Sequence, residues 1–160
     1  MTAFMNFEGP TFVMKAPTDW LVTASPKIQA LFVAVKEGNG KDIKPNLSVS
    51  IRRLEKGITL KALADSSRET QQERYPQYEV LQEREATEGD LYHFRRRYKW
   101  FKDEDASGII QDQAFYLYGQ ALYTITATRS DSNDFNHIDE IFDAMIGSFR
   151  LVGTPGYQAS

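Results

Sequence analysis

The sequence contains no cysteine and only two histidines, His93 and His137. Without thiols the chain has no disulfide, no thiolate nucleophile and no iron–sulfur ligand, and it lacks nearly every structural zinc pattern. No Gly-x-Ser-x-Gly segment occurs, and each histidine is predicted to be a surface or edge residue rather than a base. We therefore expect a protein without catalytic residues. A hydrolase whose triad assembles only in space is the enzymatic alternative.

Long hydrophobic runs are also missing. The longest, Ala30–Val35, has six residues, whereas a membrane-spanning helix needs about 20. No basic residue precedes Lys15, so the N-terminus does not resemble a secretory signal. The sequence predicts a cytoplasmic protein that does not insert into a membrane.

Basic residues are in slight deficit: 19 Lys and Arg against 22 Asp and Glu give a net charge of −3, which argues against a nucleic-acid partner. The charges are segregated, because residues 91–102 hold five bases and no acid, while residues 103–144 hold nine acids and one base. The favoured interpretation is a solvated basic strand face beside an acidic surface. A field that steers a charged partner is the alternative.

One loop begins like a calcium-binding loop. Residues 103–108 match the pattern Asp-x-Asp-x-Ser-Gly, but the twelfth position, where a bidentate glutamate belongs, is Ala114. The flanking segments also have the periodicity of strands rather than helices. We interpret the loop as a polar hairpin and expect neither a metal nor any other cofactor.

Hydrophobic periodicity predicts the element order β-β-β-α-β-β-β-β-α. The last helix, over 134–149, has the strongest apolar stripe, and Thr59 is predicted to be the N-cap of the first. Hairpins in series cannot make parallel neighbours. The predicted fold is therefore α+β, a single antiparallel sheet of about six or seven strands with two main helices packed on it. Residues 1–152 would form one domain and 153–160 a flexible tail. The stripe consists of Phe135, Ile138, Ile141, Phe142, Met145, Ile146 and Phe149, and the strands are predicted over 11–16, 29–35, 46–54, 78–85, 91–101, 109–118 and 121–128.

Several short motifs, in this order and at this spacing, resemble the DcrB/PsbP-like α+β family over roughly residues 12–151. They are Pro17-x-x-Trp20, PNLSVS at 45–50, YPQY at 75–78, YKW at 98–100, DQAFY at 112–116, YTITA at 123–127 and MIGSF at 145–149. The resemblance implies a binding protein rather than an enzyme. The family includes lumenal photosystem assembly factors, a Ran-binding transport factor, envelope lipoproteins and the Eag-type effector chaperones of bacterial type VI secretion.

Segments 98–100 and 112–115 resemble the Eag-type branch most closely. That resemblance implies a cytoplasmic chaperone or adaptor, which holds the hydrophobic, transmembrane-like segments of a secreted effector in a sheet-lined groove. Covering such a segment is favourable by about 25 cal/mol per Å² of apolar surface, and Ser, Asn and Gln groups would bond its small polar residues. The predicted client-binding residues are Asn46, Ser48, Ser50, Gln111, Gln113 and Phe115.

Two alternatives stay open at this point. Ser48 and Ser50 would also alternate with apolar neighbours if they simply faced solvent. The protein would also fit an assembly or scaffold factor of the PsbP-like type, which binds a folded protein partner. A homodimer is compatible with either function.

Overall fold

The computed structural model describes residues 2–9, 11–25, 30–38, 43–88, 91–103, 108–132 and 137–152. Within these ranges the chain forms ten strands and two helices. In chain order they are β1 (Phe4–Glu8), β2 (Phe12–Pro17), β3 (Leu21–Ser25), β4 (Ala30–Val35), β5 (Asn46–Arg53), α1 (Leu60–Arg74), β6 (Glu79–Glu88), β7 (Leu91–Phe101), β8 (Gly108–Tyr118), β9 (Ala121–Ser130), α2 (Ile138–Gly147) and β10 (Arg150–Leu151). The predicted tail, 153–160, lies outside the described residues.

The main sheet has seven strands in the order β3-β4-β5-β9-β8-β7-β6, and every neighbouring pair is antiparallel. Strands β8 and β9 form a hairpin, and its turn uses Gly119 at a φ of +62°, a conformation that glycine adopts without a steric penalty. The predicted α+β class and pair of helices are confirmed, and the seven strands of the main sheet match the predicted six or seven.

A second sheet, of three strands in the order β1-β2-β10, departs from the predicted single sheet. The first and last described elements of the chain both pair with β2. Of these strands only β2 was expected, and β3 of the main sheet was also missed. Strands of two to five residues carry too few alternations to show a period.

Helix α1 begins after the expected residue, whereas α2 differs from its predicted range. The Thr59 hydroxyl accepts a hydrogen bond from the backbone N–H of Ala62 at 3.1 Å, which confirms the predicted N-cap of α1. Helix α2 is shorter than the predicted 134–149. Phe135 lies outside the described residues, whereas Phe149 follows the helix and is fully buried. Neither helix in the described part of the chain is long and apolar enough to cross a membrane.

The main sheet has two differently covered faces. The α2 face packs against α2 and the small sheet, and its core includes Leu47, Ile125 and Phe142. The Trp20 and Phe142 rings meet edge-on at 6.0 Å. The α1 face carries a smaller core, in which Leu60, Leu63 and Ala64 of α1 contact Phe94, Phe115 and Leu122 of the sheet.

The predicted solvated basic face on β7 is wrong. Arg95 and Arg96 are 8% and 1% exposed, and Arg95 pairs with Asp112 and Asp143 at 2.8 and 2.7 Å. Burial alone would lower the pKa of Arg95, but the two carboxylates outweigh it and raise that pKa. The acid-rich part of the sequence folds against the base-rich strand, because each buried guanidinium requires a counter-charge.

The prediction that His93 is a surface or edge residue is also wrong. His93 is 5% exposed, and its ring stacks on Tyr116 with centroids 4.7 Å apart. The imidazole is therefore a packed side chain on the α2 face. His137, in contrast, is exposed at the start of α2.

Candidate functional site

The six predicted client-binding residues lie on two strands, β5 and β8, and both sets point to the α1 face. Strand β9 separates these two strands and places a threonine between each pair. Directly opposite residues of neighbouring strands point to the same face of a sheet. The three resulting rows are Asn46–Thr128–Gln111, Ser48–Thr126–Gln113 and Ser50–Thr124–Phe115.

Helix α1 divides this face. It packs on β7 and β8, and a cavity of about 510 Å³ lies between its inner side and strands β5, β9 and β8. We call this cavity the α1 groove. It is lined by Ser50, Ile51, Arg52, Leu63, Ser66, Ser67, Thr70, Gln71, Arg74, Tyr75, Gln113, Phe115, Leu122, Thr124 and Thr126. Three of the six predicted residues therefore line it, while Asn46, Ser48 and Gln111 continue the same face beyond it.

The two predicted glutamines are both engaged in hydrogen bonds within the protein. Gln113 donates to the Thr126 hydroxyl at 3.2 Å and accepts a bond from Gln71 of α1 at 2.7 Å. Gln111 donates to Thr128 at 3.0 Å and accepts from the Trp100 indole N–H at 2.9 Å. These contacts orient both amides, and a bound partner would have to share or replace them.

The remaining predicted residues differ in exposure. Phe115 is 5% exposed and belongs to the core beneath α1, so only part of its ring borders the groove. Asn46, Ser48 and Ser50 are partly exposed, and the Asn46 amide donates to the Lys44 carbonyl at 2.9 Å. The hydroxyls of β5 are thus accessible from the groove side.

Six further hydroxyl residues of this face were not predicted as site residues. Three of them occupy alternate positions of β9, and this alternation is visible in the sequence. On α1 the other three follow a helical spacing of one, three or four residues, so they share one side of the helix. The six are Thr124, Thr126 and Thr128 of β9 and Ser66, Ser67 and Thr70 of α1.

An aromatic cluster closes the groove at the C-terminal end of α1. Tyr75, which lines the groove, stacks on Trp100 at 4.3 Å with the planes 13° apart. Tyr78 and Tyr98 pack beside them. Burial raises the pKa of Tyr98 and of Tyr78, so both phenols stay neutral near pH 7.

Arg96 of β7 links the sheet to α1. Its Nη2 donates to the Ala64 carbonyl at 2.8 Å and its Nε to Glu83 at 2.9 Å. Its guanidinium also lies 5.2 Å from the centroid of the Phe94 ring. Together with Gln71, Arg96 fixes the height of α1 above the sheet and hence the width of the groove.

Beyond the groove, the α1 face continues over β5, β4 and β3. Leu21 is 52% exposed, and Val33 and Val35 are partly exposed. Val33 and Val35 lie opposite Ser48 and Asn46 in the sheet. The groove therefore opens onto a surface that we call the shelf. Its far side carries the apolar side chains of Leu21, Val33 and Val35.

Hydroxyl, amide and guanidinium groups make up the polar lining of the groove. Of its described lining residues, none is an acid or a histidine, and its polar groups are hydroxyls, amides and two arginines. Within the described ranges, no group of three or more acidic or histidine side chains is placed to hold a metal ion. Most of the calcium-like loop, residues 104–107, lies outside the described residues.

No family model matches the sequence, and no curated protein matches it either. Solved structures do match, along nearly the whole chain. The cyanobacterial PsbP (CyanoP) of Synechocystis superposes with a TM-score of 0.68 at 14% identity, over 94% of each chain. The Ran-binding protein Mog1p of Saccharomyces cerevisiae has a TM-score of 0.66 at 11% identity, over 95% of this chain and 97% of its own.

LpqN of Mycobacterium tuberculosis, a protein involved in cell envelope biogenesis, has a TM-score of 0.65 at 11% identity, over 94% of this chain and 90% of its own. At such identities a structural likeness establishes a fold and leaves function to the site. The seven-stranded antiparallel sheet with its two helices is the PsbP/Mog1-like α+β fold.

Proposed function

We propose that this protein is a cytoplasmic, non-enzymatic chaperone or adaptor, which holds an apolar, transmembrane-like helix of a secreted effector along the α1 groove. The observation that carries the proposal is the groove itself. Hydroxyls of α1 and of β5 and β9 face each other across a cavity of about 510 Å³, and partly exposed valines border it on the shelf.

The groove suits a helix with small residues on one side. An α-helix with its side chains is about 10–12 Å wide, so a bound helix would lie beside α1 and over β9 and β5. Apolar side chains of the client would contact Leu63 and Leu122 at one end of the groove, and Tyr75 at the other. Its serine or glycine positions would meet the hydroxyls of Ser50 and Thr124, where small residues permit close approach.

Two contributions would hold the client in the groove. Burial of apolar surface contributes about 25 cal/mol per Å². The hydroxyls satisfy any polar group that the client brings, which would otherwise be left unpaired at a cost of about 1–3 kcal/mol. Such a site shields a membrane segment from water and releases it without a chemical step.

An assembly or scaffold factor that binds a folded protein is the second candidate. It is supported by the structural match to Mog1p, which is described as Ran-binding. A folded partner would contact an outer surface and leave the groove empty. The two candidates therefore differ in whether an isolated apolar helix is sufficient for binding.

The experiment compares two tryptophan substitutions on α1. Ser66 lines the groove, whereas Gln72 is exposed and outside its lining. The probe is a synthetic 20-residue peptide of Leu, Ala, Gly and Ser with Asn at both ends, labelled with a fluorophore. The wild-type protein should keep the peptide in solution, and binding is measured by anisotropy.

Ser66→Trp should weaken binding by about tenfold or more, because an indole fills the space that the client would occupy. Gln72→Trp should bind as the wild type does. Urea unfolding of both variants checks that α1 stays folded. Equal binding by the two variants would show that the peptide lies elsewhere, and no binding to the wild type would favour the folded-partner function.

A further inference from the structure

Two arginines of the α1 groove have no counter-charge among the residues that the structure describes. Arg52 of β5 and Arg74 of α1 both line it and are both exposed. Neither forms an ion pair or a side-chain hydrogen bond with any described residue. The lining residues that the structure describes include no acid, so Arg52 and Arg74 give this part of the lining a charge of +2.

The two arginines lie at opposite ends of the groove. Arg52 is directly opposite Leu122, which packs with Leu63 in the core under the first half of α1. Arg74 is the last residue of α1. Leu63 and Arg74 are eleven residues apart on the helix, which corresponds to about 16 Å at a rise of about 1.5 Å per residue.

The acids of α1 do not compensate these charges. Asp65, Glu69 and Glu73 follow one another at intervals of four residues, so they share one side of the helix. That side is turned away from the groove, because none of the three belongs to its lining. The helix thus presents a basic and hydroxylic side to the groove and an acidic side elsewhere.

From this charge pattern we infer that the bound segment carries a carboxylate at each end of the part that lies in the groove, with the two acids about eleven residues apart on a helix. This inference rests on the proposed function. Arg52 would pair with one carboxylate and Arg74 with the other, and the hydroxyl-lined middle would take the apolar and small residues. The pair of arginines would fix the position of the segment along the groove and disfavour segments with basic ends.

The test uses four labelled peptides that share one core of Leu, Ala, Gly and Ser. Three carry Asp, Asn or Lys at two positions eleven residues apart, and the fourth carries its two Asp residues five apart. The wild type should prefer Asp to Asn by about two- to fivefold per arginine, the range of exposed ion pairs, and should bind the Lys peptide most weakly. Moving the two acids to a five-residue spacing should remove half of the preference.

Arg52→Gln and Arg74→Gln should each reduce the Asp-over-Asn preference, measured as the ratio of the two dissociation constants of the same variant. Lys61→Gln removes the same charge from an exposed residue of α1 outside the groove lining, and should change nothing. The preference should vanish at about 1 M salt, where the screening length is about 3 Å. Urea unfolding of each variant confirms an intact fold.

The possible failures are distinguishable. If the Asp and Asn peptides bind equally well, or if Lys61→Gln acts like the groove variants, the inference is overturned while the proposed function stands. If no peptide binds at any salt concentration, the proposed function fails and the inference fails with it. Tighter binding of the Lys peptide would contradict the charge argument directly.

Discussion

Replacing Asp139 by asparagine should destabilise the protein by about 2–3 kcal/mol at pH 7. Asp139 lies in the first turn of α2 and accepts bonds from Arg129 at 2.7 and 3.0 Å and from Arg97 at 2.6 Å. The Arg129 side chain is only 4% exposed. The asparagine amide would point an N–H donor toward the buried guanidinium of Arg129. The positive charge of Arg129 would then be unpaired.

The magnitude follows from the exposure of the partners. Removing one partner of a fully buried ion pair costs about 3–5 kcal/mol. The Asp139 side chain is 28% exposed, so water screens part of the interaction and reduces the expected loss. The loss is still a large share of a typical folding free energy of about 5–15 kcal/mol.

The assay is urea unfolding of the wild type and two variants. Asp143→Asn is the matched control, because Asp143 is 66% exposed and its partner Arg95 keeps Asp112. We expect the control to lose less than about 1 kcal/mol. A loss below about 0.5 kcal/mol for Asp139→Asn, or equal losses for both variants, would refute the argument from burial.

The pH dependence tests the same pairing through its charge. Burial would raise the pKa of Asp139, but the hydrogen bonds and charges of Arg129 and Arg97 outweigh it and lower that pKa. A carboxylate with a lowered folded-state pKa contributes stability that is complete above its unfolded pKa of about 3.9, and that is lost as the pH falls through the folded value. The gap between wild type and Asp139→Asn should be constant from about pH 5 to 7 and shrink below about pH 4. A gap that is unchanged at pH 3 would exclude the charge as its cause.

Two further stability predictions follow from the packing. Phe142→Ala should lower the free energy of unfolding by about 3–5 kcal/mol through lost burial and a residual cavity, since Phe142 is 3% exposed and contacts Trp20. Thermal or urea unfolding measures this loss, and a loss below about 1 kcal/mol would contradict the place of Phe142 in the core. Tyr98→Phe should raise the free energy of unfolding by about 1 kcal/mol, because the Tyr98 hydroxyl is buried without a partner among the described residues and its removal relieves a desolvation cost. A clear loss of stability in that variant would mean that the hydroxyl is hydrogen-bonded in solution.

Much of the fold could be predicted because its signals are local. Alternation along β5, β7, β8 and β9 and the apolar stripe of α2 each lie within one segment, and Thr59 and the Tyr75-Pro76 pair mark the ends of α1. Strands β1 and β10 could not be found this way. Each is short, and each exists because it pairs with β2, which brings residues from both ends of the chain together.

The burial of the arginines of β7 could not be predicted from a local pattern either. Arg95, Arg96 and Arg97 are consecutive residues, and the sequence shows only that acids follow later in the chain. Whether a guanidinium is solvated or buried depends on which carboxylate reaches it. Asp139 and Asp143 of α2 do so from more than 40 residues away.

For the candidate site, the sequence by itself determined which side chains of each strand share a face, since side chains alternate along a strand with a period of two residues. Asn46, Ser48 and Ser50 had to share one face of β5, as Gln111, Gln113 and Phe115 had to share one face of β8. Only the tertiary structure decided that the two faces coincide, because this depends on how β9 pairs with both strands. It also decided that α1 covers Phe115 and leaves Ser50 at an open groove, since the position of a helix on a sheet is set by long-range packing that no local period encodes.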